Sequence, residues 1–573
     1  MTPQCIFDLI DVQSTDRSGQ IAVADWEPKS LSSLSTEDLQ NEIHNLSIVL
    51  IEQGLKNGDI VVMMSRHSSM TELALEMAIL KLGAIVCPLH TYHQLKELEE
   101  IIIELKPSMI FCQTRDNRKK IQSIVHRLPF PFPKHNVHLY DDLLNKETTS
   151  EDIEYPKVSP DACALIMYTS GSSGRPKGVM LSHKNILSNV AGLLDCMPIK
   201  SGDRVISYLP RSHVMERTAT YIYLFMGATL YFVPSTIHLQ QAIHMLRPKW
   251  MTAVPLVLER LHAHIFSEVE KGKWYERLLF KWSIKSGLPR LIARLLIVNA
   301  WKRKYGPGLK GVIVGGAALS PEIARFFSSS GIRVREGYGL TETSPAITFN
   351  RYRRRLNRFG TVGIPIHNVE VRIQNPDDFG EGEIEVKGPN VMIGYFKNDE
   401  ATQLKITSDN WFRTGDIGHW VEGKFLKITD RASNIYKNAS GRFVAPSPIE
   451  RLLAAHSAIQ QTLVYGFNKP YNIALIIPDF EWVQTWAELN QIHWTDQAYM
   501  IHNPKVIAFF HQILKEKNRS LKSHERIERF ILGKTPWTMD DGLLSITMKL
   551  KRKEILKLFE KQISELYEKP IER

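Results

Sequence analysis

The residues with the clearest chemistry lie between Tyr168 and His183. There Thr169, Ser170, Ser172, Ser173 and the glycines Gly171, Gly174 and Gly178 accompany Arg175 and Lys177. Glycines let backbone N–H groups crowd round an anion, hydroxyls add donors, and Lys177 brings a mobile positive charge. That composition suits a phosphate cradle. A Walker A loop needs Gly-Lys followed by Ser or Thr, whereas Lys177 follows Pro176 and precedes Gly178, so the order is wrong. The cradle reads as a strand-to-helix junction, with Ala162 to Tyr168 as the strand. Ser182 is then the N-cap of a helix carrying Ile186, Val190 and Leu194 on one face. A plain linker would not need this density of hydroxyls between two apolar segments.

Other stretches carry reactive side chains. Gly315, Gly316 and Ala317 end the apolar run that begins at Lys310. The loop Glu336 to Pro345 combines Glu336, Gly337, the aromatic face of Tyr338, Gly339, the Thr341 hydroxyl and the Glu342 carboxylate. Asp416 reads as a turn residue between Trp411 and Gly418, and Asp430 with Arg431 closes a strand. Lys549 stands in a basic run before the C-terminal helix. Taken singly, each has a bland explanation. Glu342 could cap a helix, Tyr338 could be core, Asp416 and Arg431 could be a turn residue and a surface ion pair, and Lys549 could belong to a solvated face.

The elements that must hold these groups follow from periodicity. Helical spacing runs from about Ser32 to Gly54, then Met70 to Leu82 and Leu95 to Leu105. The runs Ile60 to Met63, Ala84 to Pro88 and Met109 to Cys112 between and after them read as buried strands. This alternation predicts a largely parallel α/β sheet. Arg115 to Glu154 is polar and reads as an irregular surface connector. Thr218 to Pro234 is too short and too interrupted for a membrane span, and reads as a buried helix followed by a strand. After Arg358 come short alternating strands at Val369–Ile373, Gly382–Val386 and Lys424–Ile428, the pattern of a small sheet or barrel. The fold expected is therefore α/β: a large N-terminal body, residues 1–430, with that small sheet appended, and a smaller α+β C-terminal domain, residues 431–573.

Composition narrows the setting. The chain has 573 residues, too many for one core, with 43% hydrophobic and 23% charged residues and no low-complexity tract. Its five cysteines are scattered and unpaired at any metal spacing, which favours a reducing compartment. The acidic start lacks the basic n-region of a signal peptide, so a cytoplasmic location is expected. A formal charge of +11 suits polyphosphates, anionic lipid or nucleic acid. Much of it is clustered, at Arg351–Arg355 with Arg358 and between Lys271 and Lys310. The first cluster lacks the frame of a nucleic-acid module. It reads as a solvated face, with docking on the inner face of an anionic membrane as the alternative.

Taken together and in this order, the motifs resemble those of the adenylate-forming enzymes, and within them the long-chain fatty acyl-CoA synthetases. The likeness rests on Leu209–Thr218, Gly337–Thr343, Trp411–Gly418 and Met548–Arg552 beside the cradle, and it spans nearly the whole chain. It implies ATP-dependent activation of a long-chain fatty acid to acyl-AMP with release of pyrophosphate, then transfer to CoA. It further implies that Thr169 to Gly174 with Lys177 hold the departing phosphates, and that Thr341 meets the α-phosphate. Glu342, with Thr169, would bind Mg²⁺. Gly315, Gly316, Ala317 and the Glu336–Gly339 stretch would receive adenine, with Tyr338 stacked on it, while Asp416 and Arg431 clamp the ribose. His213, in the matched Leu209–Thr218 stretch, would be among the catalytic residues. Lys549 would bridge carboxylate and α-phosphate, Asp430 would be the hinge of a mobile C-terminal domain, and Lys437 and Gly441 match the thiol-binding surface. Departures occur at Arg211, where an apolar residue is usual, at Ser433-Asn434, at Arg442 and at Ser545-Ile546. Those near the thiol surface leave an acyl carrier protein as an alternative acceptor. A third reading, a dead lipid- or nucleotide-binding scaffold, sits poorly with intact Lys177, Glu342, Asp416, Arg431 and Lys549.

Overall fold

The computed structural model describes residues 3–17, 19–144, 153–170, 176–271, 299–545 and 549–568. Among them the chain divides into two compact units. The first comprises Met1–Arg372, Glu385–Thr414 and Val421–Leu426; the second comprises Ile373–Ile384, Gly415–Trp420 and Lys427–Arg573. The expected small sheet is present, built from Glu370–Gln374, Gly382–Lys387, Phe412–Val421 and Phe425–Arg431, and the division falls within it.

Two large sheets organise the first unit. One runs Ile364–Pro365, Ala346–Phe349, Arg333–Gly339, Gly311–Val314, Trp250–Ala253, Arg204–Ser207, Thr229–Phe232, Ile21–Glu27, Ser30–Ser35 in spatial order. Its interior strands are parallel and its edges antiparallel. The other runs Gly394–Tyr395, Pro176–Ser182, Cys163–Ser170, Ile85–His90, Ile60–Ser65, Met109–Cys112, Val137–Leu139. The helices Thr36–Glu52, Met70–Lys81, His183–Leu194 and Val214–Phe225 pack between the sheets. A helix in that position is covered on every side. Met70–Lys81 accordingly buries Leu73, Leu75, Met77, Ile79 and Leu80 around its whole circumference. The α/β class expected from the alternation is the class observed.

Three local readings are corrected. The helix expected from Ser32 starts at Thr36, because Ser30–Ser35 pairs back on Ile21–Glu27 as an edge strand. Ser35 then ends the strand and caps the helix, its Oγ accepting from Asp38 N at 3.0 Å. The supposed connector after Arg115 contains the helix Arg115–Val125, whose Ile121, Ile124 and Val125 are buried, and the edge strand Val137–Leu139. Its apolar residues are few, but they fall on one helical face. Last, the cradle is not a strand-to-helix junction. Cys163–Ser170 and Pro176–Ser182 form an antiparallel hairpin, and the helix begins only at His183, where Ser182 is the N-cap as expected.

In the second unit, Ile459–Tyr465 pairs antiparallel with Asn472–Pro478, which pairs parallel with Ile527–Leu532. The central strand buries all seven of its residues, so helices must cover both faces. The five cysteines are free thiols. Among the described residues, no helix is long and apolar enough to cross a membrane. Most of the basic stretch between Lys271 and Lys310 lies outside the described residues. In the other basic cluster, Arg351 departs from a solvated face: it donates to the Pro365 carbonyl at 2.9 Å and touches the Cys196 sulfur.

One buried histidine links the fold to pH. The His183 ring is buried and its Nδ1 accepts from Ile6 N at 3.2 Å, tying the N-terminal segment to the helical layer. Burial pushes its pKa down to about 4 from 6.5. The folded value is depressed, so the stabilisation is present above the unfolded pKa near 6.5 and is lost as pH falls towards 4. A melting-temperature series should decline over that window. His183→Asn, which has no proton to gain there, should flatten the decline.

Candidate functional site

The hairpin strands bring together two of the residues expected to handle phosphate. Thr169 stands directly opposite Lys177 in the register, and cross-strand neighbours have Cβ atoms about 4.5–5.5 Å apart. A hydroxyl donor and an ammonium group therefore share the mouth of the hairpin. Ser170 ends the first strand; Gly171, Ser172, Ser173, Gly174 and Arg175 lie outside the described residues. The second hairpin strand adjoins the turn Thr341–Thr343, so Thr341 and Glu342 are carried to the same neighbourhood.

That acidic turn is held by a dense set of hydrogen bonds. Asn189 Nδ2 donates to the carbonyls of Thr343 at 3.2 Å and Ala346 at 2.8 Å. Asn390 Nδ2 donates to the same two carbonyls, each at 3.0 Å. Both asparagines are at most 1% exposed, where an unmade hydrogen bond is costly, so the loop has little freedom. Gly339 is required by close approach: a Cβ there would lie 1.7 Å from the Pro345 carbonyl oxygen. Glu342 does not cap a helix. Its Oε1 accepts from the Tyr395 hydroxyl at 2.9 Å, and the Lys177 ammonium lies 5.1 Å from the centroid of the same ring.

The expected adenine segment is assembled at the C-terminal ends of adjacent parallel strands, where open α/β sheets bind ligands. Gly315 and Gly316 follow Gly311–Val314, and Gly316 adopts φ +82°, a conformation that favours glycine. Glu336, buried in the next strand, accepts from Leu319 N at 3.2 Å and so ties the loop after Gly316 and Ala317 to its own strand. Gly337 and Tyr338 continue that strand, with Tyr338 8% exposed. His213 caps the helix Val214–Phe225, its Nδ1 accepting from Met215 N at 3.2 Å.

The remaining candidates belong to the second unit. Asp416 lies within the strand Phe412–Val421 rather than on a turn. It is 5% exposed, with the half-exposed Arg431 Nε 3.3 Å from its carboxylate. Asp430 is buried and accepts from Ser447 N and Ser447 Oγ, each at 2.8 Å, and from Asn434 Nδ2 at 3.1 Å. Lys437 is exposed on a two-stranded hairpin, its ammonium 4.8 Å above the Phe443 ring, and Gly441 turns that hairpin at φ +76°. Lys549 is exposed, its N–H donating to Ser545 Oγ at 3.0 Å and its carbonyl accepting from Ser545 N at 2.8 Å. Ile546, Thr547 and Met548 lie outside the described residues.

The polypeptide matches two family models: AMP-binding enzyme over residues 10–396, and AMP-binding enzyme C-terminal domain over residues 435–570. The chain belongs to the AMP-binding enzyme family. Long chain acyl-CoA synthetase 6, peroxisomal, of Arabidopsis thaliana is 33% identical over 445 residues, covering 73% of this chain and 63% of that protein. Long-chain-fatty-acid–CoA ligase FadD15 of Mycobacterium bovis is 28% identical over 557 residues, covering 92% of this chain and 91% of that one. Among solved structures, the adenylation domain of a carboxylate reductase from Mycobacterium chelonae matches with a TM-score of 0.79 at 22% identity. That match covers 99% of this chain and 91% of the other, and the likeness is one of fold.

An AMP-binding enzyme that handles a magnesium nucleotide needs few protein ligands, because phosphate oxygens and water supply most of the shell. The donors fit. Among the described residues no group of three or more His, Cys, Asp and Glu side chains could hold a metal alone. Glu342 would supply one carboxylate, and Thr169 a hydroxyl in the hairpin.

Two groups escape a sequence reading. Tyr395 stands in an ordinary-looking Gly394-Tyr395 pair whose only signal is the glycine. Glu72 and Glu76 look like the polar face of a surface helix, yet both are buried against Arg211 and Arg217.

Proposed function

We propose that this enzyme activates a long-chain fatty acid with ATP and passes the acyl group to CoA. The observation that carries the reading is the convergence of Thr169, Lys177 and Glu342 within the first unit. It supports a site that receives a magnesium-bound polyphosphate, and the names of the relatives support the acyl substrate class.

In the first step a fatty-acid carboxylate oxygen forms a bond to the α-phosphorus, and the bond to pyrophosphate breaks. Two anions must approach each other, so the site needs positive charge and fixed donors where charge develops. Lys177 and the Thr169 hydroxyl hold the departing phosphates, Thr341 meets the α-phosphate, and Lys549 bridges the reacting oxygens. Glu342 and Thr169 would hold Mg²⁺, which would supply charge neutralisation at the phosphates. Gly315 to Ala317 and Tyr338 receive the adenine, and Asp416, with Arg431 beside it, accepts from the ribose hydroxyls. In the second step the thiol sulfur attacks the acyl carbon, the bond to AMP breaks, and the thiol proton leaves. Lys437 and Gly441 serve that step after the C-terminal domain, residues 431–573, rotates at Asp430.

A carrier protein is the second acceptor. The exposed Lys437 beside Phe443, itself 64% exposed, suits a phosphopantetheine arm on either CoA or a carrier. The net charge of +11 supports peripheral contact with anionic membrane, from which fatty acids would be drawn.

Pyrophosphate release across a series of fatty-acid chain lengths, with and without CoA, tests the whole reading. Turnover should require Mg²⁺ and ATP, rise for long chains, and be sustained only when CoA is present. Sustained turnover with a holo carrier protein but not with CoA would replace the acceptor. Release confined to short acids would remove the substrate class.

A further inference from the structure

The segment Asn390–Phe396 stitches the phosphate hairpin to the acidic turn. On one side, Ile393 N donates to Met180 O at 3.0 Å and Phe396 N to Gly178 O at 2.7 Å, while Tyr395 pairs with Val179. On the other, Met392 N donates to Glu342 O at 2.9 Å, and Ser344 Oγ to Asn390 O at 2.9 Å. Tyr395, 4% exposed, is locked between them. Its hydroxyl reaches Glu342 Oε1 at 2.9 Å, and its ring faces the Lys177 ammonium at 5.1 Å. One side chain thus touches both the carboxylate and the cation of the site.

We propose that Tyr395 is a positioning residue that holds Glu342 and Lys177 in one arrangement ready for a magnesium nucleotide. The proposal rests on the reading above for the identity of the ligand, and on the geometry for the role. The phenol hydrogen bond fixes the plane of the Glu342 carboxylate, and the ring face keeps the flexible Lys177 side chain in place by its attraction for a cation. Losing an outer partner of a metal-binding side chain typically costs about 10–100-fold in metal affinity.

Two substitutions separate the contributions. Tyr395→Phe removes the hydroxyl and keeps the ring; Tyr395→Leu removes both. The measurement is calorimetric titration of ATP into the full chain, once with Mg²⁺ and once with EDTA. Tyr395→Phe should cut the gain in affinity conferred by Mg²⁺ about tenfold, leaving the EDTA affinity and the ligand-free melting temperature unchanged. Tyr395→Leu should in addition weaken binding in EDTA, because Lys177 loses its support. The role is overturned if Tyr395→Phe keeps the Mg²⁺ gain of the unaltered chain, or loses affinity equally in both buffers. An unaltered chain with no Mg²⁺ gain also overturns it. Should Tyr395→Leu fail to fold, the phenylalanine variant decides alone. Failure of the acyl-activation reading shows separately, as absence of pyrophosphate release while nucleotide binding persists.

Discussion

Lys549→Ala should abolish acyl-AMP formation, by about 10²–10³-fold, while leaving conversion of supplied acyl-AMP to thioester within a few-fold of normal. A cation that bridges two approaching anions acts where charge concentrates in the transition state. The second half-reaction has no such encounter. Lys549 is exposed, and the hydrogen bonds of its backbone N–H and carbonyl to Ser545 are ones alanine keeps, so stability should change by no more than about 0.5 kcal/mol. Single-turnover assays started from acid plus ATP, and separately from acyl-AMP plus CoA, distinguish the halves. Equal loss in both would remove the bridging role and leave a general defect.

A second large effect is expected far from the chemistry. Glu76 lies in the helical layer between the sheets, wholly buried, where its carboxylate meets the guanidinium groups of Arg211 and Arg217 and the Tyr221 hydroxyl. Glu72 approaches Arg211 at 3.9 Å and accepts from Ser65 Oγ at 2.9 Å. Burial alone would raise the Glu76 carboxyl, but Arg211 and Arg217 outweigh it and hold the group below its ordinary range; for Glu72 burial wins and raises it. Glu76→Ala would strand two buried cations without the carboxylate that meets both. Removing one partner of a buried pair costs about 3–5 kcal/mol, so the denaturation midpoint of the full chain should fall markedly. Glu76→Gln, which keeps acceptors but no charge, should recover only part of the loss. A midpoint unchanged in both variants would mean that water or Glu72 compensates fully.

How much of this was legible in the chain differs from element to element. The alternation of buried strands with helices is local, and it predicts the α/β class and the N-cap at Ser182 correctly. The helix Arg115–Val125 is missed because only Ile121, Ile124 and Val125 mark its buried face among charged neighbours. The hairpin at the cradle is missed for a different reason. Pro176 to Ser182 carries both a strand pattern and the approach to a helix, and only pairing with Cys163–Ser170 decides between them. Arg211 stood out as a departure from the family pattern, but its partners Glu72 and Glu76 lie more than 130 residues away.

The opening residues show the same division. Glycines, hydroxyls and one lysine between Tyr168 and His183 have the composition that suits an anion, because residue type alone sets charge and donor capacity. The order of the distant motifs establishes the family. What tertiary structure decides is adjacency: Thr169 opposite Lys177, Glu342 beside the hairpin, and Tyr395 touching both its carboxylate and the lysine. Beyond the hairpin pair, the contacts of Tyr395 reach Glu342, 53 residues away, and Lys177, more than 200 away, and no local spacing encodes them. They are fixed by sheet register and by which buried polar groups can satisfy one another once the layers close.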